Sequence, residues 1–317
     1  MKVSILIPLY NAEKYIAQTI SSALNQTWHN IEIIVVDDGS TDQSLNIAKS
    51  FERENVRIVT QANKGAAAAR NLALQFSTGD YIQYLDSDDL LSDDKIEKQL
   101  QIASLYDFDP DILFTCKTNF FESEICNALP VIQYTDKTYD IPVELLIDLF
   151  VNVSFIPLHA FLTPRPLIQK SDIWNEKLSA NDDGEYFARV ISNSKKVSFC
   201  NEGIAYYRKT PNSLSKQKSI KYTISEYQTL RNITEIILRN QDNETSREAC
   251  SRIFNWFIVE WFPENKPILR EVEKTMKHFG LTYFSDSKSK MYHVIMKIGG
   301  WRRAILFSEF ISAVKNQ

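Results

Sequence analysis

Five aspartates stand within nine positions at residues 86–94, in the stretch YLDSDDLLSDD, directly behind an apolar run that ends at Leu85. Like charges this close repel, and carboxylates rarely sit beside a buried strand without partners. Asp93 and Asp94 follow Ser92, a good N-cap residue, and Ile96, Leu100 and Ala103 repeat behind them at helical spacing. Two carboxylates in a first turn complement the helix dipole, so no chemistry is needed there. Asp86, Ser87 and Asp88 leave the strand where no helix terminus is yet available. An Asp-x-Asp corner can turn two carboxylates toward one hard cation such as Mg2+ or Mn2+. It can equally be a solvated turn whose aspartates bond their own backbone. Asp89 reads as a turn or capping residue.

The elements that must position these groups follow from periodicity. Val3–Ile7, Ile31–Val36, 56–59 and Tyr81–Leu85 are short β-branched or apolar runs, and each reads as a strand. Between them, Tyr15, Ile16, Ile20, Ala23 and Leu24 mark one helix face; Leu45, Ala48 and Phe51 mark another; residues 66–76 form a third helix. The βαβαβαβ order predicts an α/β fold with a mostly parallel sheet and helices on both faces. Ligands of such sheets sit outside the carboxyl ends of the strands, and both VVDDGSTD and YLDSDD fall at such ends. From about 111 to 216 the pattern loosens into short strands at Ile112–Cys116, Ile156–Leu162, Val197–Cys200 and Ile204–Tyr207, joined by polar loops. Residues 219–317 read as helical, which places a soft boundary near 217.

A chain of 317 residues with 44% apolar composition can bury a large core. Net charge −4 argues against a general nucleic-acid binder. The four cysteines are widely spaced and read as reduced thiols of a cytosolic protein. No apolar run reaches the ~18 residues of a membrane span, and MKVSILIPLYN reads as a first strand, not a signal peptide.

The stretches VSILIPLYNAEKYIAQTISSALNQTWHNIEIIVVDDGSTD, NKGAAAARNLAL and GDYIQYLDSDD follow in order at fitting spacing. Together they closely resemble the family 2 glycosyltransferases, which have the GT-A nucleotide-sugar fold, over roughly residues 2–216. The resemblance implies a donor site in which Pro8, Tyr10 and Asn11 border the nucleotide base. Asn11 can also cap the helix that follows. Asp38 would accept a hydrogen bond from uracil or another base, Asp37 would shape the turn, Gly39 would permit the tight reversal, and Ser40 and Asp42 would cap the next helix. Arg70 matches the family's arginine near the nucleotide and diphosphate; its guanidinium fork suits a phosphate or a structural carboxylate. Asp86, Ser87 and Asp88 match the family's Asp-x-Asp, with Asp88 on the metal, Mn2+ or Mg2+, and the earlier positions on ribose or metal-bound water. In LSANDDGEYFARV, Asp183 falls at the family's catalytic carboxylate, Asp182 would orient the site, and Arg189 occupies the downstream arginine position. The family more often has Glu before this Asp. His159, Trp174 and Arg208 are weaker candidates for acceptor or diphosphate contacts. A packed strand histidine, a core tryptophan and a solvated arginine explain them equally well.

The function implied is an inverting, metal-dependent transfer of a sugar from a nucleotide donor, UDP-linked by expectation, to a glycan or lipid-linked glycan of a cell-surface polysaccharide such as lipopolysaccharide or capsule. Residues 1–216 would be the catalytic domain. Residues 217–317 would serve the acceptor, a homo-oligomer or a membrane surface. In 285–317, Lys297, Arg302 and Arg303 flank Ile298 and Trp301, a composition compatible with peripheral contact at the inner face of the cytoplasmic membrane; packing within the protein explains it too. Two other readings stand beside this one. A sugar nucleotidyltransferase would carry a Gly-rich basic loop after the first strand, which PLYNAEKYI lacks. A non-catalytic glycan-binding scaffold need not keep Asp38, Asp88 and Asp183 together.

Overall fold

In the computed structural model, residues 1–210, 219–262 and 265–283 are described. The expected alternation is present. β1 (Val3–Leu9), α1 (Ile16–Leu24), β2 (Ile31–Asp37), α2 (Ser44–Lys49), β3 (Val56–Thr60), α3 (Ala66–Phe76) and β4 (Tyr81–Tyr84) follow in order. The strands form a sheet in the order β3-β2-β1-β4, all parallel, and β8 (Thr163–Pro164) closes its edge antiparallel to β4. β1 and β2 are continuous apolar runs because both of their faces are covered. Val3, Ile5, Ile7 and Leu9 share one core with Ile33 and Val35 of β2, Ile16 and Ile20 of α1, and Ile96 of α4 (Lys95–Ser104). Leu6, Ile34 and Val36, on the alternate face, are just as buried, and α3 packs on β1 and β2. The register pairs Leu9 with Asp37 and Leu6 with Tyr84, so the acidic segments after β2 and β4 leave the sheet at one edge.

A second sheet, not separable in the sequence pattern, is built in the order β5-β9-β6-β7 from β5 (Leu90–Leu91), β6 (Ile112–Phe121), β7 (Leu129–Val131) and β9 (Lys196–Arg208). The two expected strands at Val197–Cys200 and Ile204–Tyr207 are one strand, β9. It runs parallel to β6 with Cys116 opposite Cys200 but Lys117 opposite Ile204, so Asn201, Glu202 and Gly203 have no counterpart. That bulge turns at Gly203, whose φ is +71°; a β-carbon there would stand 2.9 Å from the Cα of Lys95.

Other expectations need correction. Ile156–Leu162 is not a strand: it contains a 3-10 turn at Leu158–Ala160, and β8 begins at Thr163. Pro157, which lacks an N–H, precedes the turn. Asp93 and Asp94 do not lie in a first helical turn, because α4 starts at Lys95 with Asp94 as its N-cap. Ser92 caps nothing there; it bonds Asp94 Oδ1 and accepts from the Ile204 amide, tying the loop to β9. Asn11 is not the cap of α1, which is Tyr15.

α5 (Val143–Val151), α6 (Arg165–Lys170) and α7 (Asp182–Asn193) complete the first compact unit, which ends at Ile236, beyond the expected boundary at 216/217. α8 (Ile220–Asn240) belongs largely to it, and Ser225 Oγ accepts from the amides of Ser179 and Ala180 ahead of α7. In the second unit α9 (Glu244–Trp261) and α10 (Lys266–His278) bury Phe254, Phe257, Val272 and Met276. Arg247 Nη1 donates to Phe279 O, where α10 ends. Among the described residues no helix is long and apolar enough to cross a membrane. The segment 285–317 expected at a membrane surface lies outside the described residues.

The bulge predicts a sensitive position. Gly203→Ala forces a left-handed backbone and a clash with the backbone of α4, so it should lower unfolding free energy by about 1–3 kcal/mol in urea denaturation. A neutral result would mean that this turn relaxes freely.

Candidate active site

α3 is rich in alanine, and its small side chains let it lie close against the sheet. Its start is set by Gly65, at φ +95°, where an L-residue would be strained. Asp38, at the end of β2, fixes that start: its carboxylate accepts from Gln61 Nε2 (2.7 Å) and from the amides of Lys64 and Gly65 (both 2.8 Å). Three protein donors thus occupy the group expected to read a base. Asp37 accepts from the Ser40 amide (3.3 Å) across the turn. Gly39 makes the reversal there at φ +74°. Asn11, itself at φ +47°, accepts from the Thr41 amide (2.8 Å) and so joins the turn after β1 to the turn after β2. Pro8 is buried within β1, while the Tyr10 ring is exposed on the same edge.

One turn into α3, Arg70 is 5% exposed. Its Nη2 donates to Asp86 Oδ1 at 2.7 Å and its Nη1 to Asp182 Oδ2 at 2.9 Å. One guanidinium thereby reaches carboxylates 16 and 112 positions further along the chain. Burial alone would weaken its positive charge, but Asp86 and Asp182 more than offset that and hold its pKa above the usual arginine range. Beneath it the Trp174 ring lies 4.4 Å away, stacked on Tyr186 at 4.0 Å, with the Tyr84 hydroxyl 3.2 Å from that of Tyr186. Trp174 is 1% exposed and so supports Arg70; it lines no acceptor surface. Its backbone is gripped by Asn71, the next residue of α3, which exchanges two hydrogen bonds with it.

Besides Arg70 of α3, the Asp-x-Asp turn is clamped from α1 and from β9. The Thr19 hydroxyl of α1 reaches Ser87 O (2.9 Å) and Asp89 O (3.0 Å). Arg208, at the end of β9, donates from Nε to Asp88 O (2.7 Å) and from its amide to Asp89 Oδ1 (2.7 Å), while Nη2 reaches Gln18 Oε1 (2.8 Å). It is 4% exposed, so it is neither a solvated arginine nor poised on a loop. Asp89 is not a surface turn residue; it is fully enclosed, with Oδ2 3.2 Å from His159 Nδ1. Burial drives the His159 pKa down to about 3, so its imidazole is neutral. At 0% exposure, His159 faces Asp89 and is closed off from any acceptor.

The carboxylates left open are Asp88 and Asp183, both half-buried. Burial and then repulsion from Asp86 push Asp88 up to about 6. Asp183, in the first turn of α7, is pushed up to about 6 by burial and by Asp182, against the pull of Arg70. Asp183 Oδ1 accepts from the Gly184 amide (2.9 Å). Arg189 is turned away to Glu185 and the Ile173 carbonyl. Among the described residues no three His, Cys, Asp or Glu side chains form a metal cluster on their own. Asp88 and the second oxygen of Asp86 are hard donors that suit a divalent cation whose remaining ligands are water or phosphate oxygens.

Nothing in the sequence singled out Thr19, Gln18 or Asn71 as site-forming, since each acts on a partner it meets only in the fold: Thr19 and Asn71 on backbone groups, Gln18 on the Arg208 side chain. The clamp at Arg70 predicts a large stability effect. Arg70→Met leaves the half-buried Asp86 and Asp182 without their partner and should cost about 2–3 kcal/mol in chemical denaturation, below the full penalty of a buried unpaired charge. Arg70→Lys should recover little of it, because one ammonium lacks the planar fork that reaches both carboxylates.

Known proteins align with this arrangement. The family model described as Glycosyl transferase family 2 matches residues 4–115. Glycosyltransferase GlyG of Streptococcus pneumoniae serotype 4 is 30% identical over 221 residues, which is 68% of this chain and 73% of that protein. TuaG of Bacillus subtilis strain 168, named for teichuronic acid biosynthesis, is 45% identical over 102 residues, 31% of this chain. The chain spans 40% of the length of TuaG and of another curated relative. Among solved structures, residues 1–349 of S. aureus TarS in complex with UDP superpose with a TM-score of 0.66 at 21% identity, over 88% of this chain and 80% of that one. That likeness shows the fold, and the relatives show the lineage: the chain belongs to the family 2 glycosyltransferases, as an enzyme of the GT-A fold.

Proposed function

We propose that this glycosyltransferase moves a sugar from a nucleoside diphosphate donor, UDP-linked, to a hydroxyl of a surface glycan or its lipid-linked precursor, with inversion. The observation that carries the reading is the Arg70 bridge, which sets the Asp-x-Asp turn and the Asp182–Asp183 pair around one point. The UDP of the TarS complex and the teichuronic acid naming of TuaG support the donor and the acceptor class.

In the proposed reaction the base and ribose lie along Pro8, Tyr10, Asn11, Asp37 and Asp38, and Ser87 with Asp86 borders the ribose. Asp88 with Asp86 would hold Mn2+ or Mg2+, which when bound offsets charge on the diphosphate leaving group. Asp183 takes the proton of the acceptor hydroxyl as that oxygen attacks the anomeric carbon. Its raised pKa makes it a better proton acceptor than an ordinary aspartate, and the Gly184 amide holds it in place. Asp182, anchored on Arg70, orients the base without taking the proton. Residues 217–317 are proposed to serve the acceptor, self-association or a membrane surface.

Three outcomes follow. A panel of nucleotide sugars should include a uridine diphosphate donor that raises the melting temperature in Mn2+, and Asp88→Ala should abolish the metal-dependent part; no donor binding together with an inert Asp88→Ala would remove the reading. Asp183→Asn should keep donor affinity and lower transfer by about 10²–10⁴-fold; loss of both would mean that the base lies elsewhere. Because the base must be ionised, transfer should fall about tenfold per pH unit below about 6 and level off above it, a profile that stopped-assay kinetics can read.

A further inference from the structure

Beside the carboxylates lies a group of rings that the reaction above does not use. Tyr207, one residue before Arg208 in β9, meets Phe120 of β6 edge-on at 5.5 Å and Phe155 edge-on at 5.4 Å. Phe120 and Phe155 stack at 6.3 Å with 20° between their planes. Phe155 comes from the loop after α5, where its amide donates to Gln133 Oε1, and 42% of it is exposed. Tyr207 and Phe120 are half-buried. The cluster therefore has a fixed inner part and an open outer ring.

Its surroundings are acidic. Beyond burial, Asp89, Asp86, Asp88 and Asp183 all act on the Tyr207 hydroxyl and help push it up to about 12. A second phenol, half-buried Tyr222 of α8, is raised by burial, Glu226, Asp183 and Asp182. The Tyr207 ring also stacks on His159 at 6.4 Å, and His159 Nδ1 lies 3.2 Å from Asp89 Oδ2, so the rings stand beside the Asp-x-Asp turn, with Lys209 Nζ 5.0 Å from the centre of the Phe120 ring.

That pairing selects a chemistry. An acyl chain would gain from the rings and lose beside the carboxylates, and an anionic lipid headgroup would be repelled by them. A pyranose ring satisfies both: its axial C–H face is electropositive and suits the negative face of an aromatic ring, while its hydroxyl edge suits carboxylates. We propose that Phe155, Phe120 and Tyr207 form the stacking wall of the acceptor subsite, holding a pyranose against the rings so that one hydroxyl faces Asp183. The acceptor class is then a saccharide terminus, recognised by its ring and not by an attached lipid. This rests on the transferase reading above and on Asp183 as its base.

The probe is saturation-transfer NMR on the full chain with UDP and Mn2+, using methyl β-glucopyranoside, methyl β-galactopyranoside and methyl N-acetyl-β-glucosaminide. At least one should receive saturation at its ring C–H protons. Phe155→Ala, at an exposed position, should weaken that signal by about fivefold, and Phe155→Trp should keep it. Equal signals in wild type and Phe155→Ala, or no glycoside signal where UDP still binds, would overturn the wall and leave the transferase reading standing. A Phe155→Ala variant that loses UDP affinity instead would also overturn it, by placing the rings in the donor site. Failure of wild type to bind UDP would remove the donor reading and the wall together.

Discussion

A single buried guanidinium organises this molecule. Arg70 arrives on α3, and each of its two terminal nitrogens takes a carboxylate from a different part of the chain, Asp86 behind β4 and Asp182 at the head of α7. Removing such a cation from water is expensive, and the two carboxylates repay that cost only where both bonds are well formed. The aromatic floor of Trp174 adds a favourable cation–π contact on the guanidinium face. The site's two halves are therefore linked through one ion-pair network, and neither can shift without leaving charge unpaired.

A second arginine does the same work on the backbone. Arg208 grips the carbonyl of Asp88 and, through its own amide, the side chain of Asp89, so the Asp-x-Asp turn is held by β9 as firmly as by β4. Asp86, Asp88, Asp89, Asp182 and Asp183 face these two guanidiniums, an excess of potential negative charge. The molecule relieves part of it by burial: Asp89 lies against a neutral His159 and is driven well above the carboxylate range. What remains open, at Asp88 and Asp183, is divided by position, one behind the sheet edge and one at a helix start.

Much of the first sheet was legible because its signals are local. Periodicity placed a helix over 66–76 as observed, and the apolar runs of β1 and β2 read as strands. The acidic turns were legible as a coincidence of strand ends. What escaped was long-range. Asp89 looked like a turn residue because it follows Asp86, Ser87 and Asp88 out of a strand, yet its surroundings come from His159 and Arg208, 70 and 119 positions on. Trp174 was legible only as either core or subsite, and the choice was decided by Arg70 lying on its face. The bulge in β9 split one strand into two in the sequence pattern, since the extra residues Asn201–Gly203 break the alternation.

That bulge also shows how the second sheet acquires its role. Before it, β9 runs in register with β6 as plain structure; after it, the strand is offset by three residues and ends with Tyr207 and Arg208 opposite Phe120 and Phe121. Side chains alternate between faces along a strand, so adjacent residues serve different tasks. Arg208 turns to the Asp-x-Asp turn and Tyr207 to the rings of Phe120 and Phe155. A chain in uninterrupted register would have ended its pairing at a different residue and exchanged these faces or moved them along the sheet. The parallel sheet fixes the acidic edge by close covering on both sides, and the bulged sheet brings an aromatic surface up to that edge from the ends of β6 and β9, joined by Phe155 of the loop after α5. On the proposed reading, the first carries what all donors share and the second carries what distinguishes one acceptor from another.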